Sequence, residues 1–226
     1  MNIIGKIISL FRTKSETRIA VIIYLPEKIS SVIQNTKAQT GVSYPNHETA
    51  TPHITIYSCK FDESKYPMLV ERLRNVEKKT FSFRLGALSI SQNSKSPNLF
   101  ASIGVQEDKK LRELHEKILE IGNELRGDLI RDKDIRRFKD GKLSLEKFQI
   151  IKKYGSEYAK EHFNPHITIG EVEKGDNEKI VLLKNLLSSI EHATVQVDKI
   201  YLLFSQRTIP DEKKLRETIK VEIPLG

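Results

Sequence analysis

The chain reads as an α+β fold, bilobed, with two pseudo-symmetric sheet-plus-helix lobes around a central cleft. Three observations carry that reading. The pentapeptide Pro-His-Ile-Thr-Ile occurs at residues 52–56 and again, unchanged, at 165–169. Each copy opens a strand-like run and is followed by a helical pattern and then by further strands. Nothing in between has the composition of a flexible linker, so residues 17–226 form one bilobed unit behind a distinct N-terminal segment, residues 1–16.

Composition bounds the class. The 226 residues are 38% hydrophobic and 30% charged, enough for a core of their own. Thirty-eight Lys and Arg against 30 Asp and Glu leave +8, which favours an anionic partner: nucleic acid, a nucleotide or an acidic membrane surface. The lone cysteine, Cys59, excludes an internal disulfide and a Cys-rich zinc site. It reads as a small buried residue in a cytoplasmic, reducing setting.

Residues 1–14 place Ile3, Ile4, Ile7, Ile8 and Phe11 on one helical face, with Lys6, Arg12 and Lys14 nearby. The stretch is too short to span a bilayer and lacks a signal-peptide cleavage site. It docks on the domain, or makes weak peripheral contact with a membrane surface. Residues 18–26, RIAVIIYLP, read as a buried strand, and residues 27–41 as a helix stopped by Gly41. A polar loop with Tyr44 and His47 leads to the first pentapeptide. A helix from Asp62 to about Lys79, a strand from Phe81 and a strand NLFASIGV follow. Residues 107–126 form the clearest helix, with Leu111, Leu114, Ile118, Ile121 and Leu125 as its stripe and His115 near it as a packing or surface residue rather than a ligand. Residues 126–155 carry ten Lys and Arg against five Asp and Glu and read as a solvated charged loop. A helix over DNEKIVLLKNLLSSI, a strand TVQVDKIYLLF and a last strand TIKVEIPL close the chain.

Strand alternation turns His53, Thr55 and Tyr57 to one face and Ile54 and Ile56 to the other, and likewise His166, Thr168 and Gly170 against Ile167 and Ile169. A histidine and a threonine so placed stand roughly 6–7 Å apart. Two such pairs facing each other across a cleft suit displacement at phosphorus. One imidazole takes a proton from the nucleophile, the other protonates the departing oxygen, and the hydroxyls bind the non-bridging oxygens. No step of that chemistry requires a metal. Zinc wants three or four ligands, and His-x-Thr supplies one.

Paired His-h-Thr-h motifs (h, hydrophobic) in a chain of this size resemble the 2H phosphoesterase superfamily, which includes 2′-5′ RNA ligase-like proteins and 2′,3′-cyclic phosphodiesterases. The likeness rests on PHITIY from Pro52 and FNPHITIG from Phe163. The ending from Ile200 is also similar to that family's last two strands. The resemblance implies cleavage of cyclic or 2′-5′ phosphodiesters without metal or other cofactor. His53 and His166 would be the acid–base pair and Thr55 and Thr168 the phosphate clamps, with either histidine as base. RNA or a nucleotide would be the substrate of a monomeric enzyme. The alternatives are a non-catalytic RNA-binding module of the same fold, and 2′-5′ ligation as the reverse reaction. Tyr57, beside the phosphate, Tyr44 and His47, at the cleft rim, and Phe163 are further substrate-binding candidates. The basic segment 126–155, with Phe138, Phe148 and Tyr154, is a candidate lip for an oligonucleotide.

Overall fold

A computed structural model describes residues 15–43, 51–76, 79–92, 96–106, 109–208 and 215–226. The N-terminal segment 1–14 and the candidates Tyr44 and His47 lie outside the described residues. The elements in order are β1 (Ser15–Tyr24), α1 (Glu27–Thr40), β2 (His53–Lys60), α2 (Tyr66–Arg74), β3 (Phe81–Gln92), β4 (Leu99–Val105), α3 (Lys109–Arg126), α4 (Asp132–Lys139), α5 (Leu145–Tyr154), β5 (His166–Val172), α6 (Asn177–Leu187), β6 (Thr194–Val197), β7 (Lys199–Thr208) and β8 (Leu215–Pro224).

Local chemistry sets the helix ends. Asp176 caps α6 by accepting from the Lys179 N–H at 3.0 Å. The α3 stripe runs through Leu111, Leu114, Ile118, Leu119 and Leu125, all buried, and the chain leaves the helix at Gly127 with φ 62°. Among the described residues no helix is long and apolar enough to cross a membrane.

The strands form one antiparallel sheet in the order β6-β3-β4-β5-β2-β1-β7-β8. Its halves meet at the pair Ile54↔Ile167, between the two pentapeptide strands. Each half is built around one pentapeptide, but not in chain order. The β3–β4 hairpin follows the first pentapeptide in sequence and pairs with the second, on β5. Strands β7 and β8 follow the second pentapeptide and complete the first half through β1. The stretch read as one strand, TVQVDKIYLLF, therefore breaks at Asp198, so that β6 joins β3 and β7 joins β1 at opposite ends of the sheet. The break is tied down by the Leu225 N–H, which donates to the Asp198 carbonyl at 2.6 Å.

The core lies between the sheet and its helices. Ile54, Ile56, Ile167 and Ile169 pack there with Ile29 and Ile33 of α1, Leu69 and Leu73 of α2, Leu114 and Ile118 of α3, and Leu183 and Leu187 of α6. Each of these carries about 1.5–3 kcal/mol of burial.

Residues 126–155 are not a loop. They fold into α4 and α5, joined by Phe138 stacked on Phe148 with centroids 4.1 Å apart. Part of their charge is turned inward. Arg126, 2% exposed, donates to the carbonyls of Leu129 and Lys152. Asp134 is fully buried between Arg131 at 2.6 Å and Arg137 at 3.3 Å. Lys60 of β2 reaches Asp132 at 2.7 Å.

Candidate active site

Ile54 and Ile167, paired across the sheet, share the helix-covered face. Their chain neighbours therefore share the open face. Stepping one residue each way from that pair sets His53 opposite Thr168, and Thr55 opposite His166. The four residues form a quadrilateral of two imidazoles on one diagonal and two hydroxyls on the other. The histidines are close enough that the charge of His166 acts on His53.

Both pentapeptides build their corner the same way. Proline starts the strand because it has no N–H to give. Its carbonyl accepts from the neighbouring strand, Pro52 from Leu25 at 3.4 Å and Pro165 from Val105 at 3.2 Å. The histidine Nδ1 bonds the carbonyl two residues back, Thr51 at 2.8 Å for His53 and Asn164 at 2.9 Å for His166. A carbonyl only accepts, so Nδ1–H is the donor, and Nε2 is the nitrogen left for chemistry. Burial lowers the His53 pKa, and the charges of Arg18 and His166 lower it further against the Thr51 bond, so the neutral ring is favoured.

The fifth letter is a β-bulge in both copies. Val21 pairs with Tyr57 and Ile22 with Thr55, leaving Ile56 as the inserted residue. Ala101 pairs with Gly170 and Ser102 with Thr168, leaving Ile169. A bulge breaks strict alternation. Tyr57, expected beside His53 and Thr55, is accordingly 2% exposed against α3, its hydroxyl donating to the Tyr154 carbonyl at 2.8 Å. Gly170, expected on the face of His166 and Thr168, is closed in by chain: a Cβ there would stand 2.6 Å from Val42 Cγ1 and 2.7 Å from the Ser43 carbonyl oxygen. Phe163, the further substrate-binding candidate, is turned into the core. It is 6% exposed and stacked on the buried His115, with centroids 3.9 Å apart. Cys59 is fully buried, which pushes its thiol up to about 11.

The asymmetry of the cleft lies one strand further out. His53 pairs with Tyr24 on β1, whereas His166 pairs with Gly104 on β4. Thr55 pairs with Ile22, and Thr168 with Ser102. Beyond Ile22 stands Tyr201 of β7, and beyond Ser102 stands Ser89 of β3. The His53 wall is thus aromatic: Tyr24 and Tyr201 lie 4.7 Å apart, and Lys220 Nζ sits 4.5 Å and 4.3 Å above them. The His166 wall is small and hydroxyl-bearing, with Phe100 and Tyr158 edge-on to the ring at 5.7 Å and 6.4 Å. Sequence reasoning missed Arg18, Tyr24, Tyr201 and Lys220. The signal in the sequence was a polar group near each end of the apolar run 18–26, Arg18 and Tyr24.

Among the described residues no three His, Cys, Asp or Glu side chains gather as a metal-holding group. The family model of the 2′-5′ RNA ligase superfamily matches residues 25–208. A protein of Thermus thermophilus shares the fold at TM-score 0.55 and 14% identity, covering 92% of this chain and 97% of its own. Escherichia coli LigT does so in its NADP+ complex at TM-score 0.52 and 14% identity, covering 94% and 99%. Its phosphate complex aligns at TM-score 0.51 and 15% identity, again covering 94% and 99%. No curated protein matches the sequence.

Proposed function

The chain belongs to the 2′-5′ RNA ligase superfamily, and from that membership we propose that it is a metal-independent phosphodiesterase of RNA-type phosphodiesters. The candidate substrates are 2′,3′-cyclic phosphate ends, 2′-5′ linkages and cyclic oligonucleotides. One observation carries the reading: two histidines, each with Nδ1 engaged by a backbone carbonyl, offer Nε2 from opposite corners of a site whose other corners are threonine hydroxyls.

His53, favoured neutral, takes the proton from water as its oxygen attacks phosphorus. His166, across the site, gives a proton to the ester oxygen as the P–O bond on the far side breaks. Thr55 and Thr168 donate to the non-bridging oxygens, where charge accumulates in the transition state. The protein side chains supply acid, base and clamps, so no step needs a cation. LigT, which shares the fold, also forms a complex with phosphate.

The test is a metal-free panel of 2′,3′-cyclic nucleotides, 2′-5′ and 3′-5′ oligonucleotides and cyclic oligonucleotides, with products identified. Cleavage of at least one class should persist in EDTA. His53→Ala or His166→Ala should each lower kcat by several orders of magnitude, as groups acting together do. Activity lost in EDTA and restored by zinc overturns the mechanism.

A further inference from the structure

His115 lies on the apolar stripe of α3 and is fully buried. A histidine is a costly choice there. Its Nε2 is buried without a hydrogen-bond partner, and burial pushes its pKa down. Phenylalanine would fill nearly the same space with no polar atom to bury. What the imidazole adds is one donor: Nδ1–H bonds the Ile56 carbonyl at 2.7 Å. Ile56 is the residue inserted by the β2 bulge and has no Cα partner on β1. It directly follows Thr55 in the strand that begins with His53.

The face of the same ring does different work. It stacks on Phe163 at 3.9 Å with the rings 9° from parallel. Phe163 is held from behind by its own N–H, which donates to the Lys160 carbonyl at 3.0 Å, and by the Arg112 guanidinium 5.9 Å over its ring. The next residue, Asn164, supplies the carbonyl that orients His166.

We propose that His115 is a positioning residue that couples the two half-sites, setting His53 and Thr55 through the edge of its ring and His166 through its face. Its effect on turnover rests on the phosphodiesterase reading above, and its effect on geometry does not. The bulge and the Phe163 turn approach the cleft from separate parts of the chain. A single rigid ring in contact with both fixes their spacing, and with it the distance between the two catalytic imidazoles.

The two contacts use different atoms, so substitutions separate them. His115→Phe keeps the stacking face and loses the donor. His115→Asn keeps a donor near Nδ1 and loses the face. In histidine-labelled protein, H115F should move the ring 1H–15N signals of His53 and leave those of His166. H115N should move those of His166 and leave those of His53, and Phe163→Leu should reproduce that second pattern without touching His115. In the wild type a slowly exchanging His115 Nδ1–H signal checks the donor independently of any variant. Each variant should lower kcat about 10- to 100-fold with KM little changed, the cost of small misplacement. Folded variants that move neither histidine, or move both alike, overturn the proposal, as does a missing Nδ1–H signal. A wild type that cleaves no phosphodiester overturns only the phosphodiesterase reading, because the pattern of ring signals still decides the role of His115.

Discussion

Each letter of the repeated pentapeptide has its own physical task, and the tasks match in both copies. Proline opens the strand, histidine locks its Nδ1 on the carbonyl two residues back, the first isoleucine fills the core, threonine faces the cleft, and the second isoleucine is the bulge. The His and Thr positions were legible because period-2 alternation holds up to the bulge. Beyond it alternation fails, which is why Tyr57 is buried and Tyr24 takes the place beside His53. Tyr24 is half-buried against Tyr201 and under Lys220, an aromatic face suited to a nucleobase. Tyr24→Ala should weaken nucleotide binding by about 1–3 kcal/mol, the range for loss of one stacked base. Tyr24→Phe should leave it nearly unchanged. Isothermal titration with a non-hydrolysable nucleotide decides, and equal loss in both variants would remove stacking as the cause.

At the scale of elements, the sequence periods located most helices and strands but not their partners. The two connections β1-α1-β2 and β4-α3-β5 each return a pentapeptide strand beside the strand that precedes its helix. The β3–β4 hairpin and the β7–β8 pair then extend the half that the connection leaves open. Helix α3 crosses to lie on β2, and the approach is close. A Cβ on Gly122 would stand 2.4 Å from Tyr57 Cε1. Gly122→Ala, ordinarily favourable in a helix, should therefore destabilise the protein by about 1–3 kcal/mol through overpacking. Urea unfolding measures it, and a stabilised variant would contradict the packing. Helices α4 and α5 escaped sequence reading for a different reason. The inward residues of this segment include Arg131, just before α4, and Asp134 within it, and a charged residue gives no apolar period when its partner arrives from the same segment.

At the scale of the molecule, the +8 charge is unevenly free to act. Arg126, Arg131 and Arg137 serve the fold, while Lys220 stands over the cleft wall. His53, half-buried, and His115, fully buried, both bear on stability at acid pH. The pKa values of His53 and His115 are lowered below the ordinary 6.5, first by burial. The unfolded chain then binds more protons than the native one below that pH. Stability is fully present above about 6.5 and falls as pH drops through it toward the native values. Asp176, Glu124 and Glu222, held low by Lys179, Arg72 and Lys199, lose their contributions only at more acidic pH. Tm should therefore fall between pH 7 and 5, and H115F should flatten that fall. A Tm that rises over this interval would reverse the sign assigned here.

The sequence by itself determined the four chemical groups and their pairing, because an exact repeat in strand-forming residues can place a histidine and a threonine on one face in only one way. It also determined the mixed fold, through helical and alternating periods that are local properties. Tertiary structure decided what period cannot encode: the bulges at Ile56 and Ile169, the exchange of hairpins between halves, and the pair of tyrosines under Lys220 on the His53 side. Each depends on which strand lies next door. That is settled by the packing of the whole sheet against its helices, and no run of neighbouring residues records it.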